Sequence, residues 1–211
     1  MILEKELDHL YQMIIKMADI VCDNLSNALI YLEKNNESLF INDDIIDKYE
    51  RLIEEICINI MVKERPYAKD LRIVSGVLKV VSDLERLGDH AEDIANYNNK
   101  LVSLDHHKIE NFDNLVKKVL KMVQESTKCF VSQDEKKAQE IINQDDEVDL
   151  MFNKLIEEII ILNENGKISS KYAIYMTLVV KYLERIADHA VNVSEWVIYI
   201  VNGYYKDQQL F

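Results

Sequence analysis

The sequence predicts an all-α fold made of two tandem, sequence-related antiparallel three-helix bundles, six long helices in all. Three observations predict it. Four glycines and one proline in 211 residues leave few places for the chain to turn, so its segments must be long. Apolar residues recur every three or four positions, the spacing of one face of an α-helix. The chain also repeats itself: "LERLGDHA" at 84–91 returns as "LERIADHA" at 183–190, "LIEEI" at 52–56 returns at 155–159, and "DDIID" at 43–47 is answered by "DDEVD" at 145–149.

The elements follow in order. Leu3, Leu7, Leu10, Ile14, Met17, Val21, Leu25, Ala28 and Leu32 form the stripe of a first helix, and "EKNNES" at 33–38 ends it. A second helix runs from about Leu39 to Lys63 and closes at "ERPYAKD" around Pro66; a third runs from there to about Leu101. "SLDHHKIENFD" at 103–113 reads as a linker, dividing a first bundle (1–105) from a second (106–211). The second half predicts a helix from about Phe112 to Val131, a break at "SQDEK", and a helix to about Asn163. A stop follows at "ENG", ending on Gly166, and then a last helix to about Tyr204.

With 48% hydrophobic residues the chain can bury a sizeable core. A formal charge of −13 without a long basic stretch argues against nucleic acid or anionic lipid as a main partner, since both demand clustered Lys and Arg. Cys22, Cys57 and Cys129 are odd in number, far apart and form no CxxC, so they read as reduced thiols. No charged and apolar leader opens the chain. Apolar stretches such as "YAIYMTLVV" at 172–180 have about half the length that spans a bilayer. The expectation is a cytoplasmic protein that meets a membrane only through partners.

The chemistry lies in the carboxylate spacing. Residues four apart on a helix sit one turn apart and only about 40° around the axis, so each of four pairs presents two carboxylates on one face. These are Asp43 with Asp47, Glu85 with Asp89, Asp145 with Asp149, and Glu184 with Asp188. In an antiparallel hairpin, facing residues are equidistant from the turn. Asp43 with Asp89 and Asp47 with Glu85 are equidistant from Pro66; Asp145 with Asp188 and Asp149 with Glu184 are equidistant from Gly166 and its neighbour. Each half thus gathers four carboxylates at one level.

Four like charges repel and call for something positive, and oxygen-rich sites between helices suit hard cations or iron-type metals. The alternative is that Arg51, Arg86, Arg185 and Lys154 supply that charge, or that each pair is a solvated face. Asp93 and Asn192, one turn beyond Asp89 and Asp188, can each add an oxygen at the rim. His90 and His189 lie about 140° around the wheel from the preceding Glu, which favours a hydrogen bond between helices over direct ligation. Gly88 and Ala187 permit close helix approach. Pro66 and Asp70 suit a helix start, with docking of a partner as the other reading of "RPYAKDLR" at 65–72.

These residues resemble the PhoU family: both LERxxDHA repeats, the DDxxD segments before them, and "RPYAKDLR", which looks like that family's R-x-P-x-A-x-D-L-R-type connection. Ala187 departs from the Gly common in family repeats, and the second half has no counterpart of "RPYAKDLR". The resemblance covers essentially the whole chain. It implies two three-helix bundles, a cytoplasmic homodimer, and metal ions, iron or zinc, in multinuclear clusters on E(D)xxxD motifs. Carried over, the ligands are Asp43, Asp47, Glu85, Asp89, Asp145, Asp149, Glu184 and Asp188, with Asp93 and Asn192 contributing. The implied partners are the ATPase subunit of a phosphate ABC transporter and a phosphate sensor histidine kinase, and the implied role is repression of the phosphate-starvation response.

No nucleophile–base pair, Gly-rich phosphate loop or catalytic triad signature is present, which favours a binding and signalling module over an enzyme. One rival is a ferritin-like di-metal carboxylate oxidase or metal store, which needs an inward Glu-x-x-His on each of two helices. Only "ELDH" at 6–9 fits that pattern. The other rival is a PhoU-like regulator of a different transporter.

Overall fold

The computed structural model describes residues 2–34, 41, 43–104, 107–206 and 208–209. Six long helices form, α1 (Ile2–Lys34), α2 (Asp44–Lys63), α3 (Lys69–Leu101), α4 (Phe112–Ser132), α6 (Asp145–Glu164) and α7 (Ser170–Asn202), together with a short α5 (Glu135–Ile142). Helices α1 to α3 pack on one another, as do α4 to α7, and α3 lies along α7 to join the bundles. The break expected at 33–38, the helix start expected near Leu39 and the boundary at 105–106 fall wholly or partly outside the described residues.

Two expectations are corrected. The helix expected between "SQDEK" and Asn163 is two helices, because the chain turns at Asn143 and Gln144, whose backbone amides donate to Gln139 O and Ile141 O. Asp134 caps the new helix α5, accepting from Lys137 N at 3.0 Å. The last helix ends at Asn202 rather than Tyr204. Gly203 adopts φ +82, a left-handed conformation that costs glycine little, and turns the chain into a two-residue antiparallel pair, β1 (Tyr204–Tyr205) with β2 (Gln208–Gln209). Tyr205 then stacks on Trp196 at 4.0 Å.

Pro66 lies in the connector, three residues before α3, so it does not occupy the first helical turn; Asp70 does. Arg72 reaches from α3 across to α7, donating from Nε to Ile200 O at 3.2 Å. The two helices run antiparallel, and each step up α3 is matched by an equal step down α7: Arg72 meets Ile200, Asp83 meets His189, His90 meets Tyr182, and Tyr97 meets Tyr175. Because the repeat places Tyr182 where the first half has Asp83, and His189 where it has His90, the seam has an internal two-fold relation. All three cysteines are free thiols, and burial pushes Cys22 up to about 11 and Cys57 up to about 12. Among the described residues no helix is long and apolar enough to cross a membrane.

Candidate metal centres and the inter-bundle seam

The first carboxylate level assembles on α2 and α3. Asp43 stands at the N-cap of α2 yet its side chain makes no capping bond; it lies against Asp89, with which it shares a hydrogen bond. Gly88 brings the helices together there, since a Cβ on it would lie 2.7 Å from Ile46 Cδ1. Partial burial, then the Asp89 and Glu50 carboxylates, push Glu85 up to about 7, against the pull of Arg86. Burial followed by Asp43 raises Asp89. Two guanidiniums balance part of this charge: Arg51 pairs with Asp47 at 3.3 Å, and Arg86 sits 3.7 Å from Glu85 and 3.8 Å from Asp89.

The second level assembles on α6 and α7. Burial, then Asp149, Asp146 and Glu184, raise Asp145, whose Oδ1 is enclosed without a hydrogen-bond partner. Partial burial, with Glu184 and Asp145 next, pushes Asp188 up to about 6. Lys181 is the counter-charge, its Nζ lying 2.5 Å from Glu184 Oε2, where the alternative reading of the sequence offers Lys154 and Arg185. Lys154 lines a separate hollow with Glu110 and Glu158.

The mirrored spacing therefore brings together the eight carboxylates in two sets of four. Their chemistry fits a hard or iron-type cation: only oxygen donors, crowded so that burial and neighbouring carboxylates raise Glu85, Asp89, Asp145 and Asp188, with one enclosed carboxylate oxygen left unpartnered. As the side chains stand, no three His, Cys, Asp or Glu groups among the described residues enclose one point closely enough to hold an ion. The fit is thus one of chemistry and level, with side-chain rotation required to close it.

Asp93 and Asn192 go elsewhere, to the α3–α7 seam. Asn192 Nδ2 lies 3.4 Å from Asp83 Oδ1, and Asp93 takes the Tyr182 hydroxyl and lies 3.9 Å from His90 Nδ1. His189 donates from Nδ1 to Asp83 at 2.8 Å, an inter-helix hydrogen bond of the kind expected for both His90 and His189. His90 is buried with Nδ1 unpartnered; burial first, then His189, Arg185 and Arg86, hold it down at about 4. Sequence reasoning missed Glu50, three residues beyond Asp47 on the same face, and Asp83, two turns before His90. Spacing along α2 signals the first, whereas the second becomes visible only once α7 is laid against α3. His9, of the lone Glu-x-x-His, is exposed on α1 and points to no bundle interior.

The PhoU domain matches residues 14–97 and 112–197. A phosphate-specific transport system accessory protein PhoU homolog from Clostridium acetobutylicum is 33% identical over 208 residues, covering 96% of this chain and 95% of that protein. A homolog of the same description from Thermotoga maritima is 35% identical over 95% of this chain and 89% of its own length. The crystal structure of the phosphate transport system regulatory protein PhoU from Streptococcus pneumoniae superposes with a TM-score of 0.89 at 28% identity, over 98% of this chain and all of that one. With both halves matched and relatives of this identity aligned end to end, the chain belongs to the PhoU family.

Proposed function

We propose that the protein is a metal-binding, cytoplasmic negative regulator of phosphate transport and of the phosphate-starvation response, acting by contact rather than by chemistry of its own. The observation that carries the regulatory part is full-length membership of a family whose relatives are named as accessory proteins of phosphate-specific transport. The partners are the ATPase subunit of a phosphate ABC transporter and a sensor histidine kinase, and the working form is a homodimer. Iron or zinc at the two carboxylate levels would neutralise charge that Arg51, Arg86 and Lys181 offset only in part. With metal bound, those basic heads are released toward solvent. The acidic surface favours basic patches on the partner, so association slows and weakens as salt rises.

The test is a deletion strain grown in abundant phosphate. It should express its starvation genes, and repression should return with the gene. Normal repression in that strain overturns the proposal and leaves regulation of another transporter.

A further inference from the structure

Where α3 lies along α7, a cavity of about 520 Å³ opens between the bundles; it reaches Asp89 of the first carboxylate level and differs from both levels in donor chemistry because His90 and His189 line it. We propose that this cavity takes one divalent transition-metal ion of the zinc class, bound by His90 Nδ1, His189 Nε2 and Asp93, with water completing the shell. The proposal does not depend on the carboxylate reading.

Four features carry it. His90 is an unpartnered polar group in a closed place: its side chain is 9% exposed and Nδ1 has no hydrogen bond. His189 is already oriented as a ligand. Its Nδ1 faces Asp83 at 2.8 Å, and a carboxylate only accepts, so Nδ1 carries the proton and Nε2 keeps a lone pair. A carboxylate behind a histidine in this way is the arrangement that fixes metal-binding imidazoles. The ring centres of His90 and His189 are 5.6 Å apart; two imidazoles on one tetrahedral ion, each bonded at about 2.0–2.1 Å, have centres roughly 5 Å apart. Finally, Asp93 Oδ2 is 3.9 Å from His90 Nδ1, against about 3.4 Å for two atoms sharing such an ion.

With that gap, these three groups do not enclose a point as they stand. Asp93 is 42% exposed and can close it by turning on the hydrogen bond it accepts from Tyr182. Charge does not forbid the ion. Arg86 and Arg185 line the cavity, but Asp89, Glu92 and Asp93 outnumber them, and Arg86, 60% exposed, can swing to water. Two nitrogens with one carboxylate select zinc-like ions over magnesium or calcium.

The experiment uses the full chain, stripped by chelator and held in excess magnesium so that oxygen-only sites are occupied by a hard ion. Zinc is then added and the histidine ring nitrogens are followed by NMR. Two of the five histidines should shift, saturating at one zinc per chain. His90→Asn should abolish the response of the other ring and weaken zinc binding at least tenfold. Asp83→Asn, which touches no ion, should weaken it by 10- to 100-fold. Zinc that moves no pair of histidines in the wild-type protein overturns the proposal, whatever the variants do. So does a folded His90→Asn protein that binds zinc as tightly as wild type.

Discussion

Where the first repeat has Glu50, three residues beyond Asp47, the second has Phe152; where the first has Glu92 and Asp93, the second has Val191 and Asn192. The counter-charges differ as well. Arg51 pairs with Asp47 and also reaches its carbonyl, while its counterpart Asn153 reaches only the Asp149 carbonyl, at 2.8 Å. Lys181 serves the second level from the place Ser82 holds in the first. Each level keeps its four carboxylates and varies the charge of what surrounds them. Packing follows the same rule: Ile46 and Gly88 in one repeat correspond to Val148 and Ala187 in the other, a methylene's worth of volume moved from one helix to its partner.

Metal should produce the largest difference between loaded and stripped protein. A site held at a hundredfold excess over Kd adds about 2.7 kcal/mol, so chelation should lower the melting temperature. Asp47→Asn with Glu85→Gln should remove only the first level's share. An unchanged melting temperature on chelation would show that the levels serve something other than metal-linked stability.

Next is Gly88→Ala, whose Cβ would meet Ile46 Cδ1 at 2.7 Å. Overpacking, less the gain in helix propensity, should cost about 1–2 kcal/mol. Adding Ile46→Val recreates the pair of the second repeat and should restore most of that loss in denaturant melts. If the double variant is no more stable than the single, the two levels are not packed by one rule.

The metal-free levels also differ in pH response. A carboxyl whose folded value is raised holds its proton more tightly folded than unfolded, so its stabilising share is present at low pH and is lost as pH rises. For Glu85 the loss runs from 4.5 to about 7, and for Asp188 from 3.8 to about 6. Chelated protein should lose stability across that span, with Glu85→Gln flattening the upper part and Asp188→Asn the lower. Both groups are partly solvated, so the slope is shallow. Stability that rises with pH from 4.5 to 7 and loses that rise in the Glu85→Gln protein would reverse the sign assigned to the crowding. The smallest effect belongs to Lys181→Gln, an exposed pair contributing under about 1 kcal/mol, visible only without metal.

Much of this was legible in the residues, because helical spacing and the symmetry of a hairpin are local rules. Given the turns at Pro66 and Gly166, Asp43 had to face Asp89 and Asp149 had to face Glu184. What spacing could not carry was contact between the halves. The partners Asp83 and His189 are 106 positions apart, and only the packing of α3 on α7 turns Asp93 and Asn192 from the rims toward the seam. The break at Asn143 and Gln144 escaped because the flanking segments keep one apolar period across it. The hairpin after Gly203 escaped because two-residue strands have no period to read.

The most direct test is metal analysis of protein purified without an affinity tag. Metal binding at both levels predicts bound metal in the wild type, loss of the first level's portion in Asp47→Asn with Glu85→Gln, and loss of both portions when all eight carboxylates become amides. That last variant should stay folded, since it relieves repulsion. Equal metal content in the wild type and the eight-site variant would contradict it.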